Sequence, residues 1–238
     1  LFRSTVLRLP NTLRPRPLNR QPGMLVQDIM QQPVVTTPPN APLIDAYRLM
    51  EKHHIRHLPV VDRGRLVGII TDRDIRYATR PGQHDPSYAR TPIEEVMTAD
   101  PLTAGPLDPI EEAARLMRSE KIGCLPVLDG RELVGIVTVT NLLDAVVRLT
   151  GLEKPGGRLA VSLPDRPGQL AELTLRIARE GLDIRSVLSY YGSDQVDDDA
   201  PPARLHVVLR LDTINVRPIA KTLREEGFDV IWPPEKPS

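Results

Sequence analysis

The sequence predicts a mixed α+β chain: two β-α-β-β-α-type repeats in tandem, followed by a smaller unit with the element order β-α-β-β-α-β. Three observations lead there. A shift of 67 positions lays residues 30–75 on residues 97–142 without a gap. Within each copy, apolar residues recur first at helical spacing and then in short β-rich runs bounded by turn residues. After a stretch containing Pro and Gly, a third segment carries its own succession of strand and helix patterns.

The first 23 residues stand apart. They hold Arg3, Arg8, Arg14, Arg16 and Arg20, four prolines and no acid. Such composition buries no core, so residues 1–23 are expected to form a disordered leader, with Met24 a candidate true start. An Arg-rich, acid-poor transit peptide is the competing functional reading.

From residue 24 the duplication sets the architecture. Thr36 falls on Thr103, Arg48-Leu49-Met50 on Arg115-Leu116-Met117, Ile55 on Ile122, Leu58-Pro59-Val60 on Leu125-Pro126-Val127, and Leu66-Val67-Gly68-Ile69 on Leu133-Val134-Gly135-Ile136. Pro42 and Pro109 suit the first turn of a helix, and Asp108 is a candidate cap for the second of these. Leu43, Ala46, Tyr47 and Met50, like Ile110, Ala113, Ala114 and Met117, follow at helical spacing. Strands are expected over 58–61 and 66–71, and over 125–128 and 133–138. A further helix begins near Asp74 and near Asn141, the second stopping at Gly151. One unit of about 55 residues buries little surface alone, so the pair counts as one domain sharing a core, residues 24–151 (repeats 24–80 and 91–151).

Residues 152–157 read as a linker. Over 158–233, Leu159, Val161 and Leu163 alternate as a strand, and Pro164 to Gly168 turn into a helix bearing Leu170, Leu173 and Ile177. Residues 184–190 form a strand, and a polar loop runs from Gly192 to Pro202. Leu205 to Leu211 alternate again, a helix spans about 216–226, and 228–232 is a last strand. That order is the ferredoxin-like arrangement. Residues 234–238 are a tail.

Composition narrows the function classes. With 31 basic and 31 acidic residues the formal net charge is zero, which argues against a general nucleic-acid binder. One cysteine, Cys124, excludes an intrachain disulfide and a multi-cysteine zinc site. No apolar stretch approaches the roughly 18 residues of a membrane span, and a cytoplasmic location is expected.

The repeats resemble CBS domains in tandem, the Bateman module. The residues that carry this are Asp28-Ile29-Met30, Ile55-Arg56-His57-Leu58-Pro59-Val60-Val61-Asp62 and Leu66-Val67-Gly68-Ile69-Ile70-Thr71-Asp72-Arg73-Asp74. In the second copy they are Val96-Met97, residues 122–127 and residues 135–141. The tail resembles an ACT domain through its element order and Pro164-Asp165-Arg166-Pro167-Gly168-Gln169-Leu170. In this combination the chain resembles the acetoin utilization protein AcuB family.

The resemblance implies an adenosyl ligand (AMP, ADP, ATP or S-adenosylmethionine) in clefts between the repeats. A carboxylate accepts hydrogen bonds from both hydroxyls of a ribose, and charged acceptors make the stronger bonds. Asp74 holds the family's ribose-binding position, with Thr71 beside it. By the family pattern the first cleft adds Thr103 and, against the adenine, Ile122, with Arg56 and His57 as phosphate cations. The second, weaker cleft uses Thr138, Asn141, Thr36 and Ile55. There a neutral amide replaces the acid, and Gly123 and Cys124 replace the cations. A bland account competes with this: Asp74 caps a helix and Thr71 ends a strand. In the tail, Asp165, Gly168, Gln169 and Leu170 form a candidate amino-acid-binding or interface loop, with Gly168 allowing close approach. Asp183 would repel a ligand carboxylate, which favours a dimerising domain without ligand.

Other signals carry less. His53 and His57 share an i, i+4 spacing without a His-Glu-x-x-His pattern, so no metal site is expected. Cys124 has no base partner and reads as packed and inert. Asp194, Asp197, Asp198 and Asp199 read as a solvated loop. No catalytic nucleophile–base pair or cofactor motif stands out. The expectation is a non-catalytic regulatory protein, a homodimer that senses an adenosyl ligand and relays it to an unknown enzyme. A ligand-free structural adaptor that only oligomerises and docks a partner is the alternative.

Overall fold

The computed structural model describes residues 24–78, 90–192 and 204–235. The leader, most of the acidic loop and the last three residues of the tail lie outside the described residues.

Each repeat builds the same unit. In the first, a short helix α1 (Val26–Ile29) precedes α2 (Leu43–His53), the strands β1 (His57–Asp62) and β2 (Arg65–Thr71), and α3 (Asp72–Ala78). In the second, a 3-10 turn (Ile93–Glu95) and the short strand β3 (Thr98–Ala99) precede α4 (Ile110–Glu120), β4 (Cys124–Asp129), β5 (Glu132–Thr138) and α5 (Val139–Leu149). The β1–β2 and β4–β5 hairpins are antiparallel, with register breaks at the matched positions Val60/Val61 and Val127/Leu128. Each repeat's opening segment adds one parallel bridge, Thr37 to Val60 and Ala104 to Val127.

Three local expectations need correction. Pro42 and Pro109 are the N-caps of α2 and α4 rather than first-turn residues, because their extended backbone places them just outside the helix. Asp108 does not cap α4; its Oδ2 accepts the Gly105 N–H at 2.7 Å, closing the preceding turn. The helices expected near Asp74 and Asn141 begin at Asp72 and Val139, since Thr71 and Thr138 end their strands.

The two repeats do not simply share one core. Leu43, Ala46, Met50, Leu58, Val60, Ile70 and Ile75 pack with Ile93, which the sequence assigns to the other repeat. Reciprocally, Val26 packs with Ala113, Met117, Leu125, Val127 and Val137. Val26 and Ile93 are both fully buried. Backbone bonds stitch the exchange: Leu43 N–H to Thr91 O at 3.0 Å and Ile93 N–H to Ala41 O at 2.9 Å, against Val26 N–H to Asp108 O at 2.9 Å and Ile110 N–H to Met24 O at 3.2 Å. A small cluster of Ile69, Cys124 and Ile136, with Val34 against it, lies between. Burial there pushes the Cys124 thiol up to about 12, as befits an inert packed cysteine.

The tail comprises β6 (Gly157–Pro164), α6 (Gln169–Arg179), β7 (Ile184–Tyr191), β8 (Arg204–Leu211), α7 (Arg217–Glu225) and β9 (Asp229–Trp232). Its strand order is β7-β8-β6-β9, with every pairing antiparallel. Leu159, Val161, Leu163, Val207, Leu209 and Leu211 project from one face of the sheet and pack with Leu173, Ile177, Ile219, Ala220 and Leu223 of the helices. Ser186 Oγ donates to Thr150 O at 2.9 Å, tying β7 to the end of α5.

Gly157 begins β6 because nothing larger fits. A Cβ there would overlap Val216 and come within 2.6 Å of Thr213 O. Gly157→Ala is expected to destabilise the protein by ~1–3 kcal/mol through overpacking. The urea midpoint checks this, and an unchanged midpoint contradicts the packing described.

Candidate functional site

The candidate site starts from two reciprocal pairs. Thr71 N–H and Thr71 Oγ–H both donate to Asp74 Oδ2, at 2.8 and 2.7 Å, and Asp74 N–H donates back to Thr71 Oγ1 at 3.3 Å. In the second repeat, Thr138 N–H and Oγ–H donate to Asn141 Oδ1 at 2.9 and 2.7 Å, and Asn141 N–H returns to Thr138 Oγ1 at 3.3 Å. Both are capping boxes. The helix-cap account of Asp74 is therefore correct as far as Oδ2 goes. Its second oxygen, Oδ1, accepts no hydrogen bond from any described residue. The same carboxylate thus caps the start of a helix and leaves one oxygen without a partner among the described residues.

His57 lies directly across the hairpin from Thr71, so β1 and β2 bring His57, Thr71 and Asp74 together. His57 also reaches the other repeat: a Cβ on Gly123 would stand 2.6 Å from His57 Nε2. Gly123 is the counterpart of Arg56 under the 67-residue shift. Its missing side chain is what lets the imidazole approach, a role that sequence reasoning missed when it took Gly123 only as a lost cation. Burial is the main cause lowering the His57 pKa; the Asp72 carboxylate opposes it, the Arg56 guanidinium adds to it, and Asp74 opposes it. Arg56 is exposed and in no salt bridge among the described residues.

That environment has a pH consequence. The folded-state pKa of His57 lies below its unfolded value of about 6.5. The folded protein therefore binds fewer protons than the unfolded chain as pH falls through that value, and stability drops below pH ~6.5. His57→Gln is expected to flatten this limb of a urea-stability profile between pH 7 and 5. An unaltered slope removes His57 as its source.

The remaining predicted residues are less tightly gathered. Thr103 is half-buried beside Ala104 and makes no hydrogen bond to the Thr71–Asp74 pair. Ile122 and Ile55 pack partly against the cores of their own repeats. Thr36 is exposed and lines a hollow of about 440 Å3 between the repeats, together with Gln32, Val34, Glu132 and Val134. Ile55 and Arg56 line a separate hollow of about 420 Å3 with Tyr47, His54, Asp72 and Arg76. The two hollows share no lining residue: Thr36 lines the one and Ile55 the other. No periodicity marked Tyr47 or Arg76 for a site; only the fold puts them beside Arg56.

In the tail, Asp165 Oδ1 accepts the Tyr191 hydroxyl at 3.3 Å, and the carboxylate's charge, with that bond, raises the Tyr191 pKa. Gln169 Nε2 donates to Glu172 Oε2 at 3.3 Å, and Leu170 is exposed. Gly168 has a φ of 92°, a turn that favours glycine, and no atom of the described residues stands within 4 Å of where its Cβ would be. Asp165 and Glu172 both place negative charge at this helix start, a poor setting for a carboxylate ligand. Among the described residues no group of His, Cys, Asp and Glu is placed to hold a metal ion, and no helix is long and apolar enough to cross a membrane.

The chain is 38% identical over 117 residues to the CBS domain-containing protein YhcV of Bacillus subtilis, a match spanning 49% of this chain and 81% of that protein. It superposes on the crystal structure of a Vibrio cholerae protein, described provisionally as the acetoin utilization protein AcuB, with a TM-score of 0.50 and 35% identity; 55% of this chain and 96% of that one are covered. It is 33% identical over 135 residues to the inosine-5'-monophosphate dehydrogenase of Korarchaeum cryptofilum, but covers only 27% of that enzyme. The CBS domain family matches residues 26–80 and 93–148, the two repeats found in the sequence, and the chain belongs to the CBS-domain family.

Proposed function

We propose that this protein is a regulatory sensor, not a catalyst, and that an adenosyl ligand binds between its repeats with Asp74 holding the ribose. The observation that carries this is the free Asp74 Oδ1. A charged acceptor already fixed in direction by its partner oxygen's two bonds to Thr71 suits two adjacent hydroxyls without further ordering cost. It stands beside His57, which itself touches Gly123 of the other repeat. A ligand there bears on the relative pose of the repeats, and shifts it if it binds one pose more tightly. Thr103 and Ile122 complete this cleft against sugar and adenine, and Arg56 takes the phosphate. Thr138, Asn141, Thr36 and Ile55 frame the weaker second one.

The tail, as an ACT-type unit, dimerises the protein and passes the change to a partner enzyme, with residues 165–170 as its interface loop. Similarity to the Vibrio cholerae protein suggests acetoin or acetate metabolism as the setting, in the cytoplasm. A second account has its own support. The Thr71–Asp74 bonds are those of a helix cap, and α5 exposes Leu143, Val146 and Val147. In that account the protein is an adaptor and the clefts stay empty.

Thermal unfolding with added nucleotides separates the two, since a ligand bound only by the native state raises the midpoint, by ~2.7 kcal/mol of stability at a hundredfold excess over Kd. AMP or ATP is expected to do so. No shift with AMP, ADP, ATP or S-adenosylmethionine, and no such compound in mass spectra of the purified protein, supports the adaptor.

A further inference from the structure

We infer that Asn141 makes the second cleft a hydrogen-bond-donating site, which selects an adenosyl ligand by its sugar-oxygen lone pairs, not its hydroxyl protons. This rests on the sensing account above and names the chemistry of its weaker site. The polarity follows from the cap. Thr138 offers two donors to residue 141, its N–H and its hydroxyl, and both converge on one atom at 2.9 and 2.7 Å. Only the amide oxygen can accept them. The amide orientation is thereby fixed, and what remains for a ligand is Nδ2 with its two N–H groups.

Asn141 is only 8% exposed, yet Nδ2 has no partner among the described residues and is not among the polar atoms sealed from solvent. A polar group so nearly buried and half-satisfied favours occupation by an acceptor. At Asp74 the same cap leaves the opposite, a charged acceptor. The two clefts, related by the 67-residue repeat, thus differ in the sign of the hydrogen bond they require. Gly123 and Cys124, standing where the first repeat has Arg56 and His57, supply no cation, so the ligand that fits is a nucleoside without phosphate.

Adenosine and 2′-O-methyladenosine are the probes, because methylation removes the hydroxyl proton and keeps the oxygen. The readout is the side-chain amide of Asn141 in 15N–1H spectra, assigned by its loss in Asn141→Asp. In the wild type both nucleosides are expected to move that amide to saturation, with affinities within about threefold. Asn141→Asp keeps the cap and the shape. Followed through the backbone amides of Thr138 and Val139, it is expected to weaken 2′-O-methyladenosine about tenfold relative to adenosine.

An equal ratio in wild type and variant overturns the inference, as does movement of the Thr138 backbone amide without the Asn141 side chain. Movement confined to Thr71 and Asp74 overturns it while leaving the sensor intact. No movement in either cleft overturns both.

Discussion

Asp74→Asn is expected to weaken AMP binding by about 30–100-fold while leaving the folded protein nearly as stable as the wild type. The second repeat supplies the reason for both halves of that result. Asn141 makes the same three bonds to Thr138 that Asp74 makes to Thr71, with matching distances. An amide at position 74 therefore keeps the bonds that cap α3. What it cannot do is present a free anionic oxygen. Hydrogen bonds to charged groups contribute about 1.5–3 kcal/mol, against about 0.5–1.5 for neutral ones; over the two ribose hydroxyls the difference is about 2–3 kcal/mol, and each 1.4 kcal/mol is tenfold in Kd.

Asp74→Ala removes the cap as well, at a further cost of about 1 kcal/mol in stability, so it confuses two effects that the amide keeps apart. Asn141→Ala is expected to lose a comparable cap but to leave AMP affinity within a few-fold. Isothermal titration with chemical denaturation of each variant checks all three. Equal losses of affinity at positions 74 and 141 contradict the unequal clefts.

Ile93→Ala is expected to destabilise the fold more than Gly157→Ala or any change at positions 74 and 141, at ~2–5 kcal/mol for a fully buried isoleucine, and to act at a distance in sequence. Ile93 opens the second repeat, yet its side chain fills the core made by Leu43, Ala46, Met50, Leu58 and Ile70 of the first. Hydrogen exchange is the discriminating measurement: protection should fall first in α2 and β1. Loss of protection confined to α4 and β4 contradicts the exchange of opening segments. The mirror experiment is Val26→Ala, which should loosen α4 and β4 instead, because Val26 packs with Ala113, Met117 and Leu125.

Much of the molecule was legible from the chain, for identifiable reasons. A duplication without insertions displays the matched elements of its two copies, whereas the helices after Thr71 and Thr138 begin at Asp72 and Val139, two residues before the starts read at Asp74 and Asn141, because those side chains close a capping box from inside the helix. The alternation of Leu159, Val161 and Leu163 marked β6 because one face of that sheet is covered and the period is two.

What stayed hidden was non-local. Nothing within residues 91–99 announces that Ile93 belongs to the other repeat's core. Gly123 could be counted as a missing cation but not recognised as the space His57 enters, since that contact joins residues 66 apart in the chain. The hollow that joins Arg56 to Tyr47 and Arg76 arises from helix packing, with no motif to mark it.

Sensing depends on a nucleotide's sugar meeting one particular oxygen, and a crystal structure of the protein grown with AMP tests that most directly. The expected result is O2′ and O3′ of the ribose within hydrogen-bonding distance of Asp74 Oδ1, with Thr71 still bound to Oδ2. AMP seated elsewhere, with Asp74 Oδ1 facing only water, contradicts it.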